Sequence, residues 1–199
     1  MKAKFVYKNL VDEVIQLPTI KFLKWEELLV IDTTEWSEYF MITKKSCRDA
    51  YLRTFQYKFL HRIIATNTFL YKIKLKDTKL CTFCKLGEET IEHLFFECPI
   101  TFQLWQSFSN IVKLFFVNFD LNKENVFLGC KHESLLLNLL IIITKNYIYK
   151  CKLNETKPNM IELKNKIKKY QFLENHIAKK NDKVQVCEKF WSPLHVIFN

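Results

Sequence analysis

Residues 81–99 read CTFCKLGEETIEHLFFECP, and they gather three of the seven cysteines and one of the five histidines in the chain. The order is Cys81, Cys84, His93, Cys98, a C-x2-C-x8-H-x4-C pattern. Zinc takes four sulfur or imidazole ligands in a tetrahedron, and a two-residue gap lets one tight turn aim both sulfurs at a single point. Gly87 follows where the chain must reverse, and Glu88, Glu89 and Glu92 fall in what reads as the first turn of the next helix, where they complement its dipole. Five residues along a regular helix would leave His93 and Cys98 about 140° apart. Cys98 precedes Pro99, however, and a residue before proline is driven out of the helical region. The break that ends the helix should therefore turn the fourth ligand toward the metal. One structural zinc ion is expected, with no open coordination position for hydrolysis. Cys130 and His132 are further possible ligands without clustered partners, and they read as a packed cysteine and a surface histidine.

Around this core motif the sequence reads as mainly α, a helical bundle-like domain with one embedded Cys-Cys-His-Cys zinc knuckle. Two glycines and four prolines in 199 residues are too few for the turns of a many-stranded β fold. At 49% hydrophobic and 15% aromatic, the chain can bury a sizeable core. Upstream, residues 44–64 form an amphipathic helix with Leu52, Phe55, Phe59 and Ile63 on one stripe. Arg48, Lys58 and Arg62 lie largely off that stripe, and Arg53 flanks it. Asn67 can cap a short helix through Tyr71, and a loop carrying Lys72, Lys74, Lys76 and Lys79 leads into Cys81. Nearer the start, an amphipathic stretch around Leu10, Val14 and Leu17 ends at Pro18, and an apolar piece covers residues 22–31.

Downstream, Pro99 suits the first turn of a helix reaching about Phe116, with Phe102, Trp105 and Ile111 or Val112 inward. A polar loop around Asn122 precedes an apolar helix over 134–152. Pro158 opens a last long helix with Leu163, Ile167, Tyr170 and Ile177 on one face. Three segments follow: 1–43 as an N-terminal flank, 44–118 as the zinc-binding domain and 119–199 as a helical basic region.

The net charge of +10 points to a polyanionic partner. Only three of the 31 basic residues are arginine, and abundant Lys, Asn, Phe, Tyr and Ile suggest that A/T-rich codons supply part of that charge. No apolar leader is visible in residues 1–18. The strongest apolar run, residues 135–143 from Leu135 to Ile143, is far shorter than the roughly 20 residues a bilayer needs. An intracellular protein without a membrane anchor is expected, its thiols reduced and free for metal.

The string Leu52-Arg53-Thr54-Phe55-Gln56-Tyr57-Lys58-Phe59-Leu60-His61-Arg62-Ile63, the Cys81–Cys84 knuckle and Glu89-Thr90-Ile91-Glu92-His93-Leu94-Phe95-Phe96-Glu97-Cys98-Pro99, closed by Trp105, carry a resemblance. From about Trp36 to Trp105 the chain resembles the zinc-binding region at the C-terminal end of LINE-type (non-LTR) retrotransposon reverse transcriptases. The resemblance implies a non-catalytic piece beyond the polymerase that helps hold template RNA or target DNA. Polymerases need paired aspartates for two magnesium ions, and the six aspartates here are dispersed. No histidine–carboxylate cluster suggests a nuclease, so the chain is not expected to be an enzyme and implies no small-molecule substrate.

The leading reading is a non-specific RNA- or DNA-binding module. Arg48, Arg53, Lys58, Arg62, Lys72, Lys74, Lys76, Lys79 and Lys85 would contact phosphates. Tyr57, Tyr71 and Phe83 are candidate stacking rings. Two other readings stand beside it. One is a protein-interaction or scaffold piece that self-associates through residues 135–143, and the other is a transposon remnant without a selected role.

Overall fold

The computed structural model describes residues 19–29, 36–131 and 133–194. The stretch around Leu10, Val14 and Leu17, and His132, lie outside the described residues. The elements are α1 (Thr19–Leu29), α2 (Trp36–Ser46), α3 (Ala50–Leu60), α4 (Asn67–Lys72), a π turn (His93–Glu97), α5 (Pro99–Val112), α6 (Lys123–Phe127), α7 (Leu135–Leu153), α8 (Met160–Lys180) and α9 (Val184–Trp191). Among the described residues there is no strand, only one antiparallel bridge between Leu80 and Glu88.

The expected continuous helix over 44–64 is two helices. Asp49 divides them: its carboxylate accepts from Tyr51 N at 2.7 Å and Leu52 N at 3.0 Å, capping α3. The far end is closed by a Schellman turn. Ile63 N donates to Lys58 O at 2.9 Å and Arg62 N to Phe59 O at 2.9 Å, with Arg62 itself at φ 54°, a left-handed position usually given to glycine. Leu52, Phe55 and Phe59 are buried as the stripe requires, but Ile63 falls beyond the turn and is half exposed.

Helix α7 is the central pillar. Ser134 caps it, and residues 136–143 are all buried. Helices α2, α3 and α8 pack around it, which corrects the expectation that residues 135–143 are free for self-association: only Leu135, at the first turn, stays exposed. No described helix is long and apolar enough to cross a membrane. Asn138 interrupts the apolar run because its amide grips the backbone of Cys130, accepting from N at 2.8 Å and donating to O at 2.9 Å. Gly129 beside it has φ 102°, and a Cβ there would lie 2.7 Å from Asn138 Oδ1.

Downstream, α8 is capped by Asn159 and buries Leu163 and Ile167, while Ile177 is exposed and Ala178 takes the inward place. It is not the last helix. The α9 segment folds back on it, and Trp191 Nε1 donates to Glu174 Oε2 at 2.9 Å. One apolar core runs from Trp25 to Leu194, so all three sequence segments contribute to it.

Lys145 is fully buried in that core, its Nζ donating to Phe127 O at 2.7 Å and lying 4.5 Å from the centre of the Phe59 ring. Burial disfavours its ammonium form and pushes its pKa well below the ordinary lysine value. Where folding releases that proton, the cost deepens as pH falls and fades as pH climbs into the ordinary lysine range. Phe127 O also accepts from Gln56 Nε2 at 3.3 Å, so it keeps a partner without the lysine. Lys145→Met should raise the melting temperature at neutral pH, and the gain over wild type should shrink in alkali. Thermal melts of both proteins across that range check this.

Candidate metal centre

The knuckle is a short hairpin. Cys81 N donates to Gly87 O at 2.8 Å, Lys85 N to Cys81 O at 3.1 Å and Glu89 N to Lys79 O at 2.8 Å. The left-handed residue in this turn is Lys85, at φ 59°. Gly87 answers a different need. A Cβ there would come within 3.1 Å of His93 Cε1, so glycine is what lets the imidazole close over the turn. Backbone N–H groups support both sulfurs, Phe83 N donating to Cys81 Sγ at 3.4 Å and Leu86 N to Cys84 Sγ at 3.5 Å.

His93 and Cys98 reach the same point through a π turn. Cys98 N donates to His93 O at 2.8 Å, five residues back, and Cys98 itself is extended at φ −62°, ψ 127°. An i→i+5 turn is wider than an α turn and brings the sixth residue over the first. The H-x4-C spacing is therefore the period of the turn that carries it, and the break before Pro99 sets the final direction. The Phe95 carbonyl in this turn accepts from Trp105 Nε1 at 2.7 Å. Thr90 starts the helical segment, its hydroxyl accepting from His93 N at 3.1 Å.

Together these devices bring the ligand atoms of Cys81, Cys84, His93 and Cys98 within 4.8 Å of one another. The Cys81 and Cys98 sulfurs are 3.8 Å apart, and bonds of about 2.3 Å in a tetrahedral zinc thiolate site require about that separation. Cys84 Sγ lies 3.2 Å from His93 Nε2. Cys98 also caps α5. The hydrogen bond from Cys81 pulls the Cys98 thiol down to about 5, with help from the backbone N–H groups of Ile100 and Thr101. The same bond, with burial, pushes Cys81 up. Cys81, Cys84, His93 and Cys98 would hold a zinc ion in place of the proton that Cys81 and Cys98 share.

Glu89 departs from the expected dipole role. Fully buried, it joins three elements. Its Oε2 accepts from Thr82 N at 2.6 Å, its Oε1 accepts from Asn67 N at 2.9 Å, and Lys152 Nζ of α7 lies 3.8 Å from Oε1. Lys152 also donates to Ala65 O at 2.7 Å, and Asn67 Nδ2 donates to Leu80 O at 2.7 Å. Thr66, not Asn67, caps α4. This tie was missed from sequence, where a lone glutamate and a distant lysine give no signal.

The basic residues expected at phosphates are dispersed. Arg48, Arg53, Lys58, Lys72, Lys74 and Lys85 are exposed. Lys76 pairs with Glu155 at 3.7 Å, and Lys79 with Glu88 at 3.4 Å. Arg62 departs from its expected open setting: it is ion-paired to Glu92 and lies over Trp25, 4.4 Å from the ring centre. Arg53 lines a groove between α2 and α3, Arg62 and Lys72 share a second groove, and Arg48 borders a third. Of the three rings, Tyr57 and Tyr71 are exposed while Phe83 is buried beneath the knuckle. Cys130 is buried, so it fits the packed role.

A helical protein that draws three cysteines and one histidine to one point has a structural zinc site. Residues 20–105 match the family described as zinc-binding in reverse transcriptase. The match ends at Trp105, the residue whose indole secures the π turn. No curated protein matches the chain.

Purified protein should carry one zinc per chain by elemental analysis. Two per chain would bring Cys130 and His132 back as ligands. Lys152→Met and Glu89→Gln should each cost about 3 kcal/mol, because removing one partner strands the other in the core. The double variant should lose much less than the sum, which a double-mutant cycle on urea melts measures.

Proposed function

We propose that the chain is a non-catalytic nucleic-acid-binding module organised by its zinc centre, similar to the C-terminal segment of a LINE-type reverse transcriptase. The observation that carries this reading is the groove of about 410 Å³ between α2 and α3, lined by Lys44, Arg53, Thr54 and Tyr57. Exposed cations beside an exposed aromatic ring are what a nucleic-acid backbone and its unpaired bases require. The net charge of +10 supports it. The dispersed aspartates support the non-catalytic part, since phosphoryl transfer uses carboxylates held together on metal. Seven cysteines free of disulfides fit a reducing compartment.

A second reading, a protein-interaction piece, is favoured by the exposed Phe172 and Ile177 on α8. Salt separates the two, because phosphate binding weakens steeply with ionic strength and apolar association does not.

Lys44→Glu combined with Arg53→Glu should leave zinc content and melting temperature near wild type, both side chains being exposed. Affinity for RNA and DNA should fall regardless of sequence, with the salt slope shallower by about 0.7 to 0.9 for each phosphate no longer neutralised. Anisotropy titrations at several salt concentrations provide the measurement, and an unchanged slope and affinity would remove this groove as the binding surface.

A further inference from the structure

The second groove, about 400 Å³, opens beside the zinc centre and is lined by Lys24, Arg62, Thr68, Phe69, Lys72 and Glu92 among others. Its cations are unequally engaged. Arg62 gives Nη2 to Glu92, and its Nη1 is buried with no hydrogen-bond partner among the described residues. Thr68 Oγ1 is likewise buried and unpartnered. Lys24 and Lys72 are exposed and have no ion-pair partner among the described residues. Against these three cations stands one carboxylate, already used by Arg62. Phe69 contributes a ring that is 50% exposed, although an apolar ring on a helix of this core would ordinarily turn inward.

Unused donors, surplus positive charge and one accessible flat ring suit a ligand with both an anionic group and an aromatic face. We propose that this groove holds one unpaired nucleotide of a single-stranded RNA or DNA. Lys24 and Lys72 draw its phosphate, the free donors of Arg62 and Thr68 bind its oxygens, and the Phe69 ring carries its base. The inference rests on the nucleic-acid reading above and adds to it a binding point beside the metal. A duplex keeps its bases stacked and cannot offer one to Phe69, so the groove selects single strands. Glu92 precedes His93, so a zinc ion held by His93 would also steady the carboxylate that pairs with Arg62.

The test uses the zinc-loaded chain, a labelled oligouridine strand and a duplex of equal length, with zinc content and melting temperature measured for every variant. Lys24→Glu with Lys72→Glu should weaken single-strand binding and make the salt slope shallower by about 0.7, the share of the one phosphate they draw. Phe69→Ala, and Phe69→Leu as a variant that keeps the packing, should weaken single-strand binding roughly tenfold and leave duplex binding unchanged. Equal loss on strand and duplex would mean that Phe69 acts only through the fold, and the proposal would be overturned. The same holds if these variants bind like wild type while Lys44→Glu with Arg53→Glu does not; the functional reading then survives without this groove. Wild-type protein that binds neither nucleic acid overturns both.

Discussion

Two of the four metal ligands come from opposite ends of a single helical turn, and a regular α turn cannot bring residues five apart to one point. The i→i+5 hydrogen bond from Cys98 N to His93 O is the constraint that the rest of the centre accommodates. Widening the turn leaves the Phe95 carbonyl to be satisfied, and the indole of Trp105 does so. Pro99 begins α5 immediately after the fourth ligand, so the axis of α5 is set by the metal geometry. On the inner side of the same turn Leu94 and Phe95 are buried, with Phe95 meeting Phe59 edge to face at 4.9 Å. Ligand, helix direction and core packing are thus decided within six residues.

The polar groups inside this core do a different job from its apolar ones. Glu89 with Lys152, and Asn138 with the backbone of Cys130, join segments distant in sequence through groups that tolerate few partners. Buried pairs of this sort add little net stability, because desolvation offsets their attraction. They instead penalise alternative packings that would leave one member alone. An α7 that is apolar all round could rotate among nearly equivalent positions. Asn138 near its first turn and Lys152 in its last turn each have one set of acceptors and hold it in one position.

The ligand set was legible because zinc chemistry restricts both residue type and spacing, and Cys81, Cys84, His93 and Cys98 satisfy both within 18 residues. The helical class followed from scarce glycine and proline. Periodicity located Leu52, Phe55 and Phe59 on an inward stripe, yet it could not see that Asp49 would cap a new helix rather than sit within an old one. Arg62 illustrates the same limit. Its position off the stripe suggested solvent, but the Schellman turn carries it around to Glu92 and Trp25. Residues 135–143 read correctly as part of an apolar helix, and what covers them was beyond local pattern because their neighbours come from elements on both sides in sequence. The turn at Gly87 was anticipated, though its cause is the imidazole facing it rather than backbone handedness.

Of the seven cysteines, six are buried and only Cys84 is partly open to solvent. His93 is partly open as well, so Cys84 and His93 form the accessible side of the centre, and Cys81 and Cys98 are buried. A chelator, an electrophile or an oxidant coming from solvent would therefore meet Cys84 and His93 before the buried sulfurs of Cys81 and Cys98.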